Sequence, residues 1–269
     1  MVEKIKRSTS IWITLNLVFF FAMLGINYLG STGFFNGMGQ KDVSDKYTTL
    51  LTPAGFAFSI WGVIYTLILI SLIYFFVKRK EIMISQLINE ISPLFILSCI
   101  LNMGWIIAFS YEKVGLSTLF ILGMVVVILL IVEKIYKSRE EIPYTLTGIA
   151  FTLYGAWVFI ASILNVAIFL VQQNWGGFGI PDSVWAMIMI IVAIVLTLSY
   201  LLLYKNAVFP ISLAWAFWGI YNSYSSGSIK SSMDEVIQTM LLIGIGIFIV
   251  AIIITFIKNK FAIFPKSNA

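Results

Sequence analysis

The chain has 269 residues, 60% of them hydrophobic and 11% charged, with a net charge of +5 and a mean hydropathy of +1.00. A soluble domain carries about 25% charged residues, so this composition excludes a water-soluble globular protein. Histidine is absent and Cys99 is the single cysteine. That excludes a His-ligated haem or zinc site, a Ser-His-Asp triad and a disulfide framework.

The apolar residues come in long blocks rather than stripes. A run of about 18 or more can cross a hydrocarbon core as a helix that satisfies its own backbone hydrogen bonds. The expected fold class is an all-α integral membrane protein with about eight transmembrane helices: Ile11–Tyr28, Ala54–Val77, Pro93–Ser110, Val114–Val132, Leu146–Val171, Val184–Tyr204, Val208–Tyr224 and Met240–Ile257. The first is read as a retained helix rather than a signal peptide, because its apolar stretch is long and no small-x-small cleavage site follows clearly. Short polar links join the spans. The exception is the first loop, Leu29 to Thr52, with Gly30, Gly33, Gly37 and Gly39.

Lys and Arg concentrate on the cytoplasmic side of a multi-pass protein. With the N-terminus inside, Lys4, Lys6, Arg7, Lys78, Arg79, Lys80, Lys134, Lys137, Arg139, Lys205, Lys258, Lys260 and Lys266 fall inside, and only Lys41, Lys46, Lys113 and Lys230 outside. Thirteen against four supports both the span count and cytoplasmic termini. The positive charge is therefore topological, and no nucleic-acid partner is expected. The expected location is a bacterial plasma membrane.

No Asp, Glu, Lys or Arg lies well inside a span. Intramembrane charges mark proton relays, ion sites and gating, so an ion-coupled pump or charged filter is not expected. The polar and aromatic residues inside the spans fall on helical faces: Phe58, Trp61 and Tyr65; Ser98, Asn102, Trp105 and Phe109; Trp157, Ala161 and Asn165; Trp215, Trp218 and Asn222. Two readings stand for each face. Buried Asn bridges helices while Trp fills volume beside Gly62, Gly104 and Gly155, or the faces wall an apolar pocket with few polar anchors. Gly244 and Gly246 offer a close-packing face in the last span, for a neighbouring helix or a second subunit.

Three motifs carry a family resemblance. Leu153-Tyr154-Gly155-Ala156-Trp157-Val158-Phe159, continuing through Ala161 and Leu164-Asn165 to Asn174, resembles the fifth-helix signature of the tryptophan-rich sensory protein family, also called the translocator or peripheral benzodiazepine receptor family. Leu101-Asn102-Met103-Gly104-Trp105 with Phe109 resembles its third-helix pattern. The run from Pro53 through Phe58 and Trp61-Gly62 to Tyr65 resembles its second-helix entry. This chain departs from the family in having Pro53-Ala54 for a proline pair, Tyr47-Thr48-Thr49-Leu50 for a Trp-rich loop, and Leu153-Tyr154 for Pro-Tyr.

The resemblance implies a five-helix core over residues 1–174, capped by the first loop, with three additional helices over 175–269: an extended, divergent branch. It implies a membrane receptor binding a hydrophobic planar ligand, a porphyrin or other tetrapyrrole or a sterol-like molecule. The ligand-binding residues would be Phe58, Trp61, Tyr65, Asn102, Trp105, Tyr154, Trp157, Ala161 and Asn165. Porphyrin or haem would be a ligand rather than a resident cofactor. The alternatives are an uncoupled exporter or flippase of an apolar metabolite, an enzyme of light-dependent porphyrin breakdown, and a structural role. Membrane lipid is the other expected partner, and homo-oligomerisation stays open.

Overall fold

The computed structural model describes residues 2–138 and 145–265, with side chains from Ser8 onward. Of the charge count, the side chains of Lys4, Lys6 and Arg7 and the whole of Arg139 and Lys266 lie outside what is described. Among the described residues there are nine α-helices and no strand: α1 (Val2–Ser31), α2 (Gln40–Lys46), α3 (Ile60–Lys78), α4 (Ile82–Ser110), α5 (Val114–Lys137), α6 (Thr145–Gln172), α7 (Asp182–Tyr204), α8 (Phe209–Ser225) and α9 (Asp234–Lys258). A 3-10 helix, Gly55–Ser59, leads into α3, and another, Gly177–Gly179, lies between α6 and α7. Large apolar side chains such as Leu119, Leu202 and Leu203 point outward on the long helices, as lipid-facing surface requires. The protein is a multi-pass helical membrane protein.

Seven of the helices are long and apolar enough to cross a membrane. The remaining expected span is α8, a helix of 17 residues and about 25 Å. Pro210 sits in its first turn, where a missing N–H costs nothing, and Gly227 with φ +73 follows its end. Helix α4 starts eleven residues before the expected Pro93. The proline is tolerated inside it, leaving the Asn89 carbonyl without its usual N–H.

Helices α1, α4, α5, α6 and α3 pack in that order around a closed ring, each against the next, with α3 returning to α1. Helix α8 lies against α6 and the first 3-10 helix, and α7 and α9 flank α8. The α1–α4 seam is stitched by short polar side chains: Thr9 meets the Ser85 hydroxyl, Asn89 donates to Thr9 at 2.8 Å, and Asn16 donates to Ser92 at 2.8 Å. Such interhelical bonds contribute about 0.6 kcal/mol each in membrane proteins.

Glycines allow the closest approaches. A Cβ on Gly244 would stand 2.7 Å from the Phe217 ring, so this glycine packs against α8 within the chain, whereas Gly246 has open space at its Cβ position. Gly62 has open space around its Cβ position, whereas Gly104 and Gly155 face Phe120 and Ile128. One close contact beside the site is that of Gly219 of α8, whose Cβ would lie 2.7 Å from that of Ala57 and 3.2 Å from that of Pro53. Gly219→Ala should therefore force α8 off the segment entering α3, at a cost of about 1–3 kcal/mol. A lowered thermal midpoint of the purified protein checks this; an unchanged midpoint contradicts it.

Candidate ligand-binding site

At the end of the ring nearest the first loop, a cavity of about 520 Å³ opens between α1, α3, α4 and the loop. Phe58, Trp61, Tyr65 and Trp105 line it, with Asn27 and Leu24 of α1 and Lys41 and Asp42 of α2 at its mouth. Period-3.6 spacing puts Trp61 and Tyr65 on one side of α3, the 3-10 helix before it brings Phe58 to the same cavity, and the ring sets them opposite Trp105.

Trp61 is the hub of the aromatic wall. Its ring stacks on Tyr65 at 5.3 Å and 28°, and lies 5.9 Å from Trp105, which stacks in turn on Phe109 at 5.8 Å. Tyr154 and Trp157 of α6 meet Trp61 edge-on at 6.0 and 6.1 Å. Both α6 rings are buried behind Trp61 rather than lining the cavity. Among the described residues the buried Trp157 indole N–H has no acceptor, an unusual state for a group whose desolvation costs about 1–3 kcal/mol unpaired.

Beneath this wall runs a polar network between four helices. Asn27 donates to the Asn102 carbonyl oxygen at 2.6 Å, and Tyr65 donates to the Asn27 oxygen at 3.1 Å. Asn102 donates to the hydroxyls of Tyr65 at 3.2 Å and Tyr154 at 3.4 Å. Asn165 makes a second knot: its oxygen accepts from the Trp105 indole at 2.9 Å, and its nitrogen donates to Thr118 at 2.8 Å and to Ser117 at 3.1 Å, whose own proton goes to the Val114 carbonyl at 2.8 Å. An amide has two donors and two acceptor positions, so Asn165 spends both donors and one acceptor position on its neighbours. It bridges α4, α5 and α6 and fixes the plane of Trp105. Ala161 packs on the core without reaching the cavity.

The structure thus brings Phe58, Trp61, Tyr65 and Trp105 to the cavity and sets Asn102, Tyr154, Trp157 and Asn165 behind them. Sequence reasoning missed Asn27, the amide at the cavity wall. Its nitrogen is spent on Asn102 and the Met23 carbonyl, leaving one acceptor position on its oxygen. Asn16 and Asn27 are eleven residues apart, three helical turns on one face, and that repeat was the available signal.

The first loop is clasped from two sides. Glu112, in the α4–α5 turn at φ +56, accepts from Lys46 at 2.6 Å and from the Tyr47 hydroxyl at 2.6 Å, while Gln172 donates to the Glu112 backbone oxygen at 2.9 Å. Helix α8 holds the other side. Tyr224 donates to the Leu50 carbonyl at 2.7 Å, the Ala54 amide donates to the Gly219 carbonyl at 3.0 Å, and the Trp215 indole donates to the Ala57 carbonyl at 2.9 Å. Trp215 also meets Phe56 edge-on at 5.5 Å. Trp218, on the expected face with it, is turned outward and stacks on Tyr221.

The family profile described as TSPO-like protein matches residues 12–254, through all the long helices. No curated protein and no solved structure matches the chain.

The Lys46 ammonium first, and the Tyr47 hydroxyl second, hold the Glu112 carboxyl below its ordinary value. A depressed carboxylate contributes stability that is present above the unfolded value, about 4.3, and is lost as pH falls through the folded one. Amide exchange across 40–47, corrected for intrinsic rates, should therefore accelerate below about pH 4, and Glu112→Gln should accelerate it at neutral pH. Equal protection in both proteins would remove the clasp from the account.

Proposed function

The chain belongs to the TSPO-like protein family, and from that premise we propose that it binds a planar hydrophobic ligand, a tetrapyrrole or sterol-like molecule, in the cavity beneath the first loop. The observation that carries this reading is the pairing of Trp61 with Trp105, 5.9 Å apart and held in place before any ligand arrives, along a cavity of about 520 Å³. Ligand pockets of about 300–1,000 Å³ with apolar walls and few polar groups suit such molecules, and flat aromatic faces reward stacking. Asn27 supplies an acceptor, and Lys41, which pairs with Asp45, would have to exchange that partner to meet an acidic substituent. On this reading Tyr154, Trp157, Asn102 and Asn165 support the rings that touch the ligand, and the loop end of the bundle faces away from the cytoplasm.

Titrating protoporphyrin into the purified protein while following tryptophan fluorescence tests the proposal. Saturable quenching is expected, with affinity weakened about tenfold in Trp61→Ala and Trp105→Ala as stacking and buried area are lost. Absence of saturable quenching, or affinity unchanged in both variants, would sink it.

A second reading, uncoupled movement of an apolar metabolite, is favoured by one feature. Among the described residues no Asp, Glu, Lys or Arg is buried, so no buried charge stands ready to couple to an ion. Protein reconstituted in vesicles should then carry labelled ligand across without an ion gradient; tight binding with no movement argues against it.

A further inference from the structure

A second cavity, of about 420 Å³, shares no residue with the first. It lies between α6, α7, the Thr48–Leu51 segment of the first loop and the 228–230 turn before α9. Its body is apolar, with Ala167 and Leu170 of α6 facing Ala186 and Met189 of α7. Its mouth is lined by two tryptophans and two opposite charges: Trp175, Trp185, Asp182 and Lys230.

The tryptophan wall is built rather than incidental. The Trp185 indole donates to the Gly177 carbonyl at 2.9 Å, and the two indoles lie 5.2 Å apart. Gly177, at φ +60, comes so near that a Cβ there would stand 3.1 Å from the Trp185 nitrogen. The turn thus places both rings at one end of the cavity. Tryptophan is the side chain that settles at the level of lipid headgroups.

Asp182 and Lys230 line the same mouth, both exposed, and among the described residues neither forms an ion pair. Asp182 is the first residue of α7. A cavity with an apolar body, an indole collar and one free charge of each sign complements an acyl chain ending in a zwitterionic head. Phospholipid surrounds a membrane-spanning chain at all times.

We propose that this cavity is a binding site for a zwitterionic phospholipid, with one acyl chain lying between α6 and α7, the phosphate at Lys230 and the ammonium at Asp182. The lipid is then a fixed part of the wall behind Thr48–Leu51. It is bound independently of the aromatic cavity.

The test is native mass spectrometry of the full chain, delipidated in detergent and supplied with phosphatidylethanolamine, phosphatidylglycerol or diacylglycerol of identical chains. A one-to-one phosphatidylethanolamine adduct is expected, favoured about two- to fivefold over the other two, in keeping with the modest strength of exposed charge pairs. Lys230→Gln should abolish the preference over diacylglycerol, Asp182→Asn should abolish the preference over phosphatidylglycerol, and Ala167→Trp should remove the adduct by filling the cavity. Trp105→Ala, in the other cavity, should leave it intact. Equal adducts for the three lipids, or the preferences kept in both surface variants, would overturn the headgroup assignment. An adduct undiminished in Ala167→Trp at an unchanged thermal midpoint would overturn the site itself.

Discussion

Inside this bundle, as in the lipid around it, a polar group has no water to turn to and must find its partner in the protein. That constraint organises the region around the candidate site. Asn165 spends both donors and one acceptor position on Trp105, Ser117 and Thr118. Asn102 is held between Asn27, Tyr65 and Tyr154. Because these amides are occupied by neighbours, the rings they hold are fixed. The cavity therefore presents preset aromatic surface on its α3 and α4 side, with polar lining from Asn27, Gln40, Lys41 and Asp42 on the side of α1 and the loop. The buried N–H of Trp157 is the exception to the rule of satisfaction in this cluster.

The same scarcity of partners explains how the first loop is secured. A loop cannot be anchored in hydrocarbon by burying its backbone unless other elements take up its carbonyls and amides. Helix α8 does this through Trp215, Gly219 and Tyr224. Its glycine lets the two backbones come close enough for the Ala54 bond, and its two aromatic side chains reach the Leu50 and Ala57 carbonyls. On the far side the loop meets Glu112 and Gln172. A ring of five helices forms the aromatic wall, and a helix from outside the ring holds its cover, so α8 belongs to the architecture of the cavity although it lines none of it.

Some of this was legible in the residues and some was not, for reasons that differ case by case. Trp61 and Tyr65, or Trp105 and Asn102, could be placed on faces because helical periodicity is local. Asn27 escaped notice because a single amide in an apolar run is unremarkable until its partner on α4 is known. Pro93 read as a helix start because proline is favoured there, yet packing against α1 and α5 carries α4 past it. Trp215 and Trp218 sit three residues apart and resemble a pair, but one is drawn inward by the Ala57 carbonyl and the other stacks on Tyr221 at the surface.

The sequence by itself determined the solvent, and with it the helical class, because uncharged runs of this length can satisfy their backbones in lipid only as helices. It also determined which side chains share a helical face, and through its motifs the family. The tertiary structure decided which faces meet. It turned Asn165 into a bridge and Asn27 into a wall of the cavity. It set Tyr154 and Trp157 behind Trp61, and gave α8 the first loop to hold. Those outcomes depend on contacts between residues as far apart as 50 and 224, and periodicity along one helix carries no record of its neighbours.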